Sequence, residues 1–215
     1  SELDAPESII IWHLEDSGNT VCIPNGIYDP ETGAVTFSAY HLGSYAIGYN
    51  KVSFIDVPDT AWYREAVYFL AARGITAGTA ENTFSPDQTL TRGQFITLLL
   101  RAYGIKGDEK SQDNFSDAGN TYYTGYLAAA KRLGISNGVG EHKFAPEQPI
   151  TRQEMVTLLF NALSVLNKLP DSTSDKTLND FIDANIIASY AKNAMSYLVE
   201  TGVIGGSNGK LEPTN

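Results

Sequence analysis

The sequence predicts a mainly α-helical fold: helix–loop–helix repeats whose equivalent helices are expected to meet around a pseudo-threefold axis, preceded by a small N-terminal β segment. Three observations carry that expectation. First, Thr91-Arg92-Gly93-Gln94 returns as Thr151-Arg152-Gln153-Glu154. Phe84-x-Pro86 likewise returns as Phe144-x-Pro146, Gly74-Ile75-x-x-Gly78 as Gly134-Ile135-x-x-Gly138, and Trp62-Tyr63 as Tyr122-Tyr123. The offset is 60 every time (151 − 91, 144 − 84, 134 − 74, 122 − 62), so the two copies align without a gap. A period this long, carrying two helical stretches per copy, marks an array whose units share a core. Second, apolar residues follow helical spacing from Phe54 onward. Third, the first fifty residues instead hold short runs of β-branched and aromatic residues separated by turn signals.

In that first segment, residues 1–52, strands are expected at 8–14, 20–23, 34–37 and 45–49, with turns at Asn25-Gly26 and Glu31-Thr32-Gly33. Four short strands bury too little surface to stand alone. They form either the tail of a β-sandwich or a small sheet packed on the remainder of the chain. Residues 61–73 place Trp62, Ala66, Phe69, Leu70 and Arg73 on one side of a helix closed by Gly74. Equivalent helices are expected at 122–133 and 190–201. Their aligned apolar positions are Val67, Leu127 and Met195, then Leu70, Ala130 and Leu198.

The second helix of each complete copy opens on a threonine cap, Thr91 or Thr151. Gln94 or Glu154 follows three residues later, which is the capping-box spacing. Phe95, Ile96, Leu98, Leu99 and Tyr103 should supply one buried face, and Met155, Val156, Leu158, Leu159 and Leu163 the other. A third copy begins at Phe181-x-Asp183, continues through Tyr190 and Gly202-Val203-x-x-Gly206, and reaches Pro213 without its own Thr-Arg. The expected units are therefore 53–107, 114–168 and a truncated 180–215, in what reads as a fragment of a longer polypeptide. The apolar surface left open in the third unit is expected to be covered by the β segment, by self-association or by a partner chain.

A net charge of −10 and a pI near 4.7 argue against nucleic acid or an anionic membrane as partner, because both require a basic face. No apolar run is long enough to insert in a membrane. The one cysteine, Cys22, has no partner within the chain. His13, His41 and His142 lack metal-ligand spacing, and no phosphate loop, nucleophile elbow or EF-hand loop occurs. An enzyme is therefore not expected, nor is a cofactor.

Arg92 and Arg152 each stand at the first helical position, where the macrodipole is positive and backbone N–H groups are free. A guanidinium there is locally unfavourable unless something negative approaches. One reading is a bound carboxylate or phosphate held by the guanidinium and the helix start; the other is an internal ion pair, with Asp56 or Asp117 as partner. Trp62, Tyr122 and Tyr190 share one aligned position and read either as sugar-stacking rings or as core plugs. Gly78, Gly138 and the Gly205-Gly206 pair suit tight turns, or close approach of a ligand to the backbone.

Taken together, Phe54-x-Asp56-Val57, Trp62-Tyr63, Gly74-Ile75-x-x-Gly78, Phe84-x-Pro86 and Leu90-Thr91-Arg92-Gly93-Gln94 resemble a bacterial S-layer homology repeat. The unit from Phe115-x-Asp117 through Ile150-Thr151-Arg152-Gln153-Glu154 is similar and nearer to the usual Ile-Thr-Arg-Ala-Glu ending. The resemblance covers about residues 53–215. It implies a pseudo-threefold helical prism acting as a non-catalytic anchor, outside the cell and on the cell wall or surface layer. The implied ligand is secondary cell-wall polysaccharide carrying ketal-linked pyruvate, bound in grooves between repeats. Carried over, Arg92 and Arg152 would meet the pyruvate carboxylate; Asp56, Asp117 and Asp183 would orient the groove or the ligand hydroxyls; Trp62, Tyr122 and Tyr190 would pack on the sugar. Gly93 and Gln94 depart from the usual alanine and glutamate, and two of the three aromatic positions are tyrosine. The competing expectation is a protein–protein scaffold of a surface layer, marked by an apolar patch and by arginines occupied internally.

Overall fold

The computed structural model describes residues 5–39, 42–171 and 174–215, so His41 lies outside the described residues. It comprises two compact units, one ending at Gln88 and taking in Leu100–Ile105, the other formed by Thr89–Leu99 and Lys106–Asn215.

In the first unit, β1 (Ile9–Leu14) lies between β2 (Thr20–Ile23) and β5 (Ser44–Tyr49), antiparallel to both. A separate ribbon pairs β3 (Ile27–Asp29) with β4 (Ala34–Thr36). The strand β3 is an addition to the expected set: three residues beside Asn25-Gly26 carry almost no periodic signal. The expected turn after it forms, with the Asp29 carboxylate accepting from Glu31 N–H and from the Thr32 hydroxyl. In β1, Ile9, Ile10 and Ile11 are all buried, so the start of this strand is covered on both faces instead of alternating. The sheet is thus tied to the helical residues that follow it. The Asn50 side chain donates to the Ala72 carbonyl at 2.7 Å, and Arg73 reaches back to the carbonyls of Glu7, Ile9 and Gly26.

Helix α1 (Arg64–Ala72) buries Val67, Tyr68 and Ala71 against Phe54 and Val57. It stops where Gly74 takes φ +67° and Ile75 N–H bonds the Leu70 carbonyl, a closure that costs a residue without Cβ little. Helix α2 (Arg92–Ala102) buries Ile96, Thr97, Leu99 and Leu100, whereas Phe95 and Leu98 are only half-buried. The buried face is therefore rotated from the expected one. Thr97 is tolerated inside because its hydroxyl bonds the Gly93 carbonyl one turn back.

In the second unit, α3 (Thr124–Arg132) holds Leu127, Ala129 and Ala130 fully buried, and α4 (Arg152–Val165) packs on α5 (Lys192–Glu200), with Ala162, Met195 and Leu198 fully buried. Helices α1, α3 and α5 begin two to three residues later than expected. Trp62, Tyr122 and Tyr190 sit in the turn before each helix, and the next residue, Tyr123 or Ala191 in the second unit, is the one buried.

Candidate functional site

The same loop clamp is built in all three copies. Both oxygens of the Asp56 carboxylate accept backbone bonds, from Phe84 N–H at 2.8 Å and Ser85 N–H at 2.6 Å. Asp117 does the same with Phe144 and Ala145, both at 2.8 Å, and Asp183 with Leu211 and Glu212 at 2.8 and 2.7 Å. Two successive N–H groups aimed one way form an anion-binding concavity. The second N–H donor of each clamp takes a left-handed φ: 62° at Ser85, 58° at Ala145 and 51° at Glu212. The carboxylates hold the Phe-x-Pro loops, and the matching loop of the third copy, in shape; the expected ion pair of Asp56 or Asp117 with an arginine does not form.

The bond from Phe84, joined by that from Ser85, keeps Asp56 below the usual carboxylate range. A depressed folded-state value contributes stability that is present above about pH 4 and is lost as pH falls through the lowered value. Asp56→Asn is accordingly expected to lower the denaturant midpoint at neutral pH, with a smaller gap from wild type in acid, once pH has fallen through the lowered value. Equal gaps at both pH values would refute the clamp's dependence on charge.

The helix entrances differ from expectation in a second way. Arg92 N–H and Gly93 N–H bond the carbonyls of Gln148 and Pro146 at 2.9 and 2.8 Å; Arg152 N–H and Gln153 N–H bond those of Asn215 and Pro213 at 2.7 and 2.9 Å. At α2, Gln94 N–H bonds the Thr91 hydroxyl, and the Gln94 side-chain oxygen accepts from Thr91 N–H. The donors expected to be free for an anion are occupied by the Pro-containing loop of the following copy, so any anion must be met by side chains.

The two arginines stand in different environments. Arg92 is buried, its side chain 7% exposed, and it pairs with neither Asp56 nor Asp117. Its Nε donates to the Phe144 carbonyl at 2.9 Å, its Nη1 to Glu154 Oε1 at 2.8 Å, and its guanidinium carbon lies 4.8 Å from the Phe144 ring centre. Glu154 Oε2 accepts from both the N–H and the hydroxyl of Thr151. Nη2 of Arg92 has no bond among the described residues. Arg152 is half-buried; its Nη2 donates to the Gly205 carbonyl at 3.0 Å, its buried Nε has no partner, and no carboxylate pairs with it among the described residues.

Arg92 and Glu154 border a cleft of about 610 Å³ within the second unit. Its other walls are the Ile135–Val139 loop after α3, the α4 residues Thr157, Leu158 and Asn161, and Tyr190. The Asn161 amide fixes the loop by donating to the Ile135 carbonyl at 2.9 Å. Tyr190 is 57% exposed. Its phenol is raised above the ordinary tyrosine value by burial first and then by the Glu154 charge, with Arg92 opposing. Three segments far apart in sequence thus converge: Arg92, the stretch from Ile135 to Asn161, and Tyr190. Sequence reasoning misses Asn137, Thr157 and Asn161 as cleft groups and sees Glu154 only as a cap; the available signal for Asn137 is its place inside the repeated Gly-Ile-x-x-Gly motif.

The core-plug alternative for the aromatics fails, since Trp62 is 92% and Tyr122 56% exposed. Trp62 leans edge-on against Tyr63, and Tyr122 against Tyr123; neither borders this cleft. Gly138 does, at φ +80°, where a Cβ would stand 2.2 Å from the Lys143 carbonyl oxygen. Gly78 and Gly206 occupy the same niche against Thr83 and Lys210, at 2.3 Å each. No group of three His, Cys, Asp or Glu side chains suited to a metal occurs among the described residues. No helix there is long and apolar enough to cross a membrane.

The family model for the S-layer homology domain matches residues 53–96 and 114–156. The chain is 28% identical over its whole length to an amylopullulanase of Thermoanaerobacterium thermosulfurigenes, covering 11% of that protein. It is 28% identical over 75% of its length to an S-layer protein of Bacillus licheniformis, covering 18% of it. With the exoglucanase XynX of Acetivibrio thermocellus it shares 31% identity over 77% of its length, and 14% of that protein is covered. The chain therefore spans less than a fifth of each of these relatives. The matched stretches contain the Asp56 and Asp117 clamps, both Gly-Ile-x-x-Gly loops and both Thr-Arg helix starts, and through them the chain belongs to the S-layer homology family.

Proposed function

We propose that this chain is a non-catalytic anchor that binds pyruvylated secondary cell-wall polysaccharide and tethers an exported bacterial protein to its envelope. The observation that carries the reading is the cleft that joins a buried guanidinium to amides, a hydroxyl and an exposed aromatic ring. Its volume suits one or two sugar rings. The unbonded Nη2 of Arg92 is placed to meet a carboxylate, while Asn137, Thr157 and Asn161 offer the mixed donors and acceptors that sugar hydroxyls require. The Tyr190 ring supplies an apolar face for stacking. Arg152 provides a second cation at the equivalent helix start, Trp62 and Tyr122 present equivalent rings, and the pseudo-threefold prism is the arrangement that makes these positions equivalent. That relatives include a surface-layer protein, an amylopullulanase and an exoglucanase supports a shared attachment module in place of a shared reaction.

The test is co-sedimentation with purified cell-wall sacculi before and after mild-acid removal of the pyruvate ketals. Retention should fall at least about tenfold on removal, equivalent to about 1.4 kcal/mol. Undiminished retention by depyruvylated walls would overturn the acidic-sugar assignment.

A further inference from the structure

The ion pair inside the cleft bears directly on which sugars the cleft selects. Arg92 reaches the ligand space already bonded to Glu154, and both side chains border the same cavity. Their formal charges cancel, so an incoming anion meets one attractive and one repulsive group a few ångströms apart. Besides Arg92, the groups that face Glu154 are Thr151, through its N–H and hydroxyl, and Tyr190 across the cleft. None of these supplies a second cation.

We propose that Glu154 is a specificity-determining residue: by neutralising Arg92 in advance it weakens the preference of the cleft for acidic over neutral sugar, so that binding depends on hydroxyl contacts as well as on charge. This rests on the polysaccharide reading above. Glu154→Gln is the informative change, because the chain already contains its counterpart. Gln94 holds the aligned position and caps Thr91 N–H through its own side-chain oxygen at 2.8 Å. The variant therefore keeps the helix cap through its remaining oxygen, and gives up both the charge and the Arg92 Nη1 bond, because the amide NH2 cannot accept it.

The experiment compares a pyruvate-ketal methyl hexosaminide with its neutral methyl ester by calorimetry. In the wild-type chain the acid is expected to exceed the ester, and in Glu154→Gln that ratio rises at least about tenfold further. A ratio that is unchanged or lower overturns the proposal. A second readout is independent of the sugar: sodium acetate is titrated while the Arg92 Nε–H resonance is followed. A saturating shift at lower acetate in Glu154→Gln supports the proposal, and identical curves overturn it. If neither sugar binds either chain, the polysaccharide reading fails, and the acetate titration still decides the role of Glu154.

Discussion

Arg73→Met is expected to destabilise the first unit by about 3–5 kcal/mol, read as a lower denaturant midpoint with an unchanged slope. Arg73 is only 5% exposed, and its guanidinium donates to four carbonyls: Glu7 at 2.9 Å, Phe69 at 3.1 Å, Ile9 at 2.9 Å and Gly26 at 2.6 Å. It stacks over the Phe69 ring, 3.4 Å from its centre. No carboxylate pairs with it among the described residues, and burial pushes the guanidinium down to about 10. The cation is instead held by carbonyl dipoles, including one from the last turns of α1, where the helix end is itself negative. Methionine fills much of the volume but leaves several of these carbonyls without a donor, at about 1–3 kcal/mol for each one that water cannot reach. Arg73→Lys should recover less than half of the loss, because one ammonium cannot span four acceptors arranged for a planar fork. A Met variant within about 1 kcal/mol of wild type would show that these carbonyls are satisfied otherwise.

The double replacement Arg92→Ala plus Arg152→Ala should abolish retention on sacculi, a loss of at least about a hundredfold or about 2.7 kcal/mol. The two halves are expected to behave differently. Arg92→Ala strips Glu154 of its partner and Phe144 of a carbonyl bond and a ring contact, so it should also lower stability by about 3 kcal/mol. Arg152 makes one bond to the Gly205 carbonyl, so its removal should leave the fold nearly unchanged. Arg152→Ala therefore isolates the binding contribution, and thermal melting alongside sedimentation separates it from the folding effect of Arg92. Full retention by a folded double variant would remove both arginines from the binding account.

Much of the architecture is readable from local pattern. The strands at 20–23 and 45–49, the glycine stops at Gly74 and Gly134 and the threonine caps all depend on neighbours within a turn or two of chain, and the 60-residue offset is the same local pattern met twice. Pattern alone places the first helix of each copy two or three residues too early, because Trp62, Tyr122 and Tyr190 have apolar character at helical spacing while standing in turns. It also misplaces the buried face of α2, since Thr97 lies inside with its hydroxyl satisfied by its own helix.

Residue order is enough to establish that units repeat, where helices begin and end to within a turn, and which cations and rings recur. The partners of those groups are set by the folded chain alone. Asp56, Asp117 and Asp183 face backbone N–H groups 27 to 29 positions away, and Arg92 meets a carboxylate 62 positions away. The difference is one of range: backbone conformation and helix capping are governed over a few residues, whereas the neutralisation of a buried charge depends on whichever donors and acceptors the packed chain brings within about 3 Å.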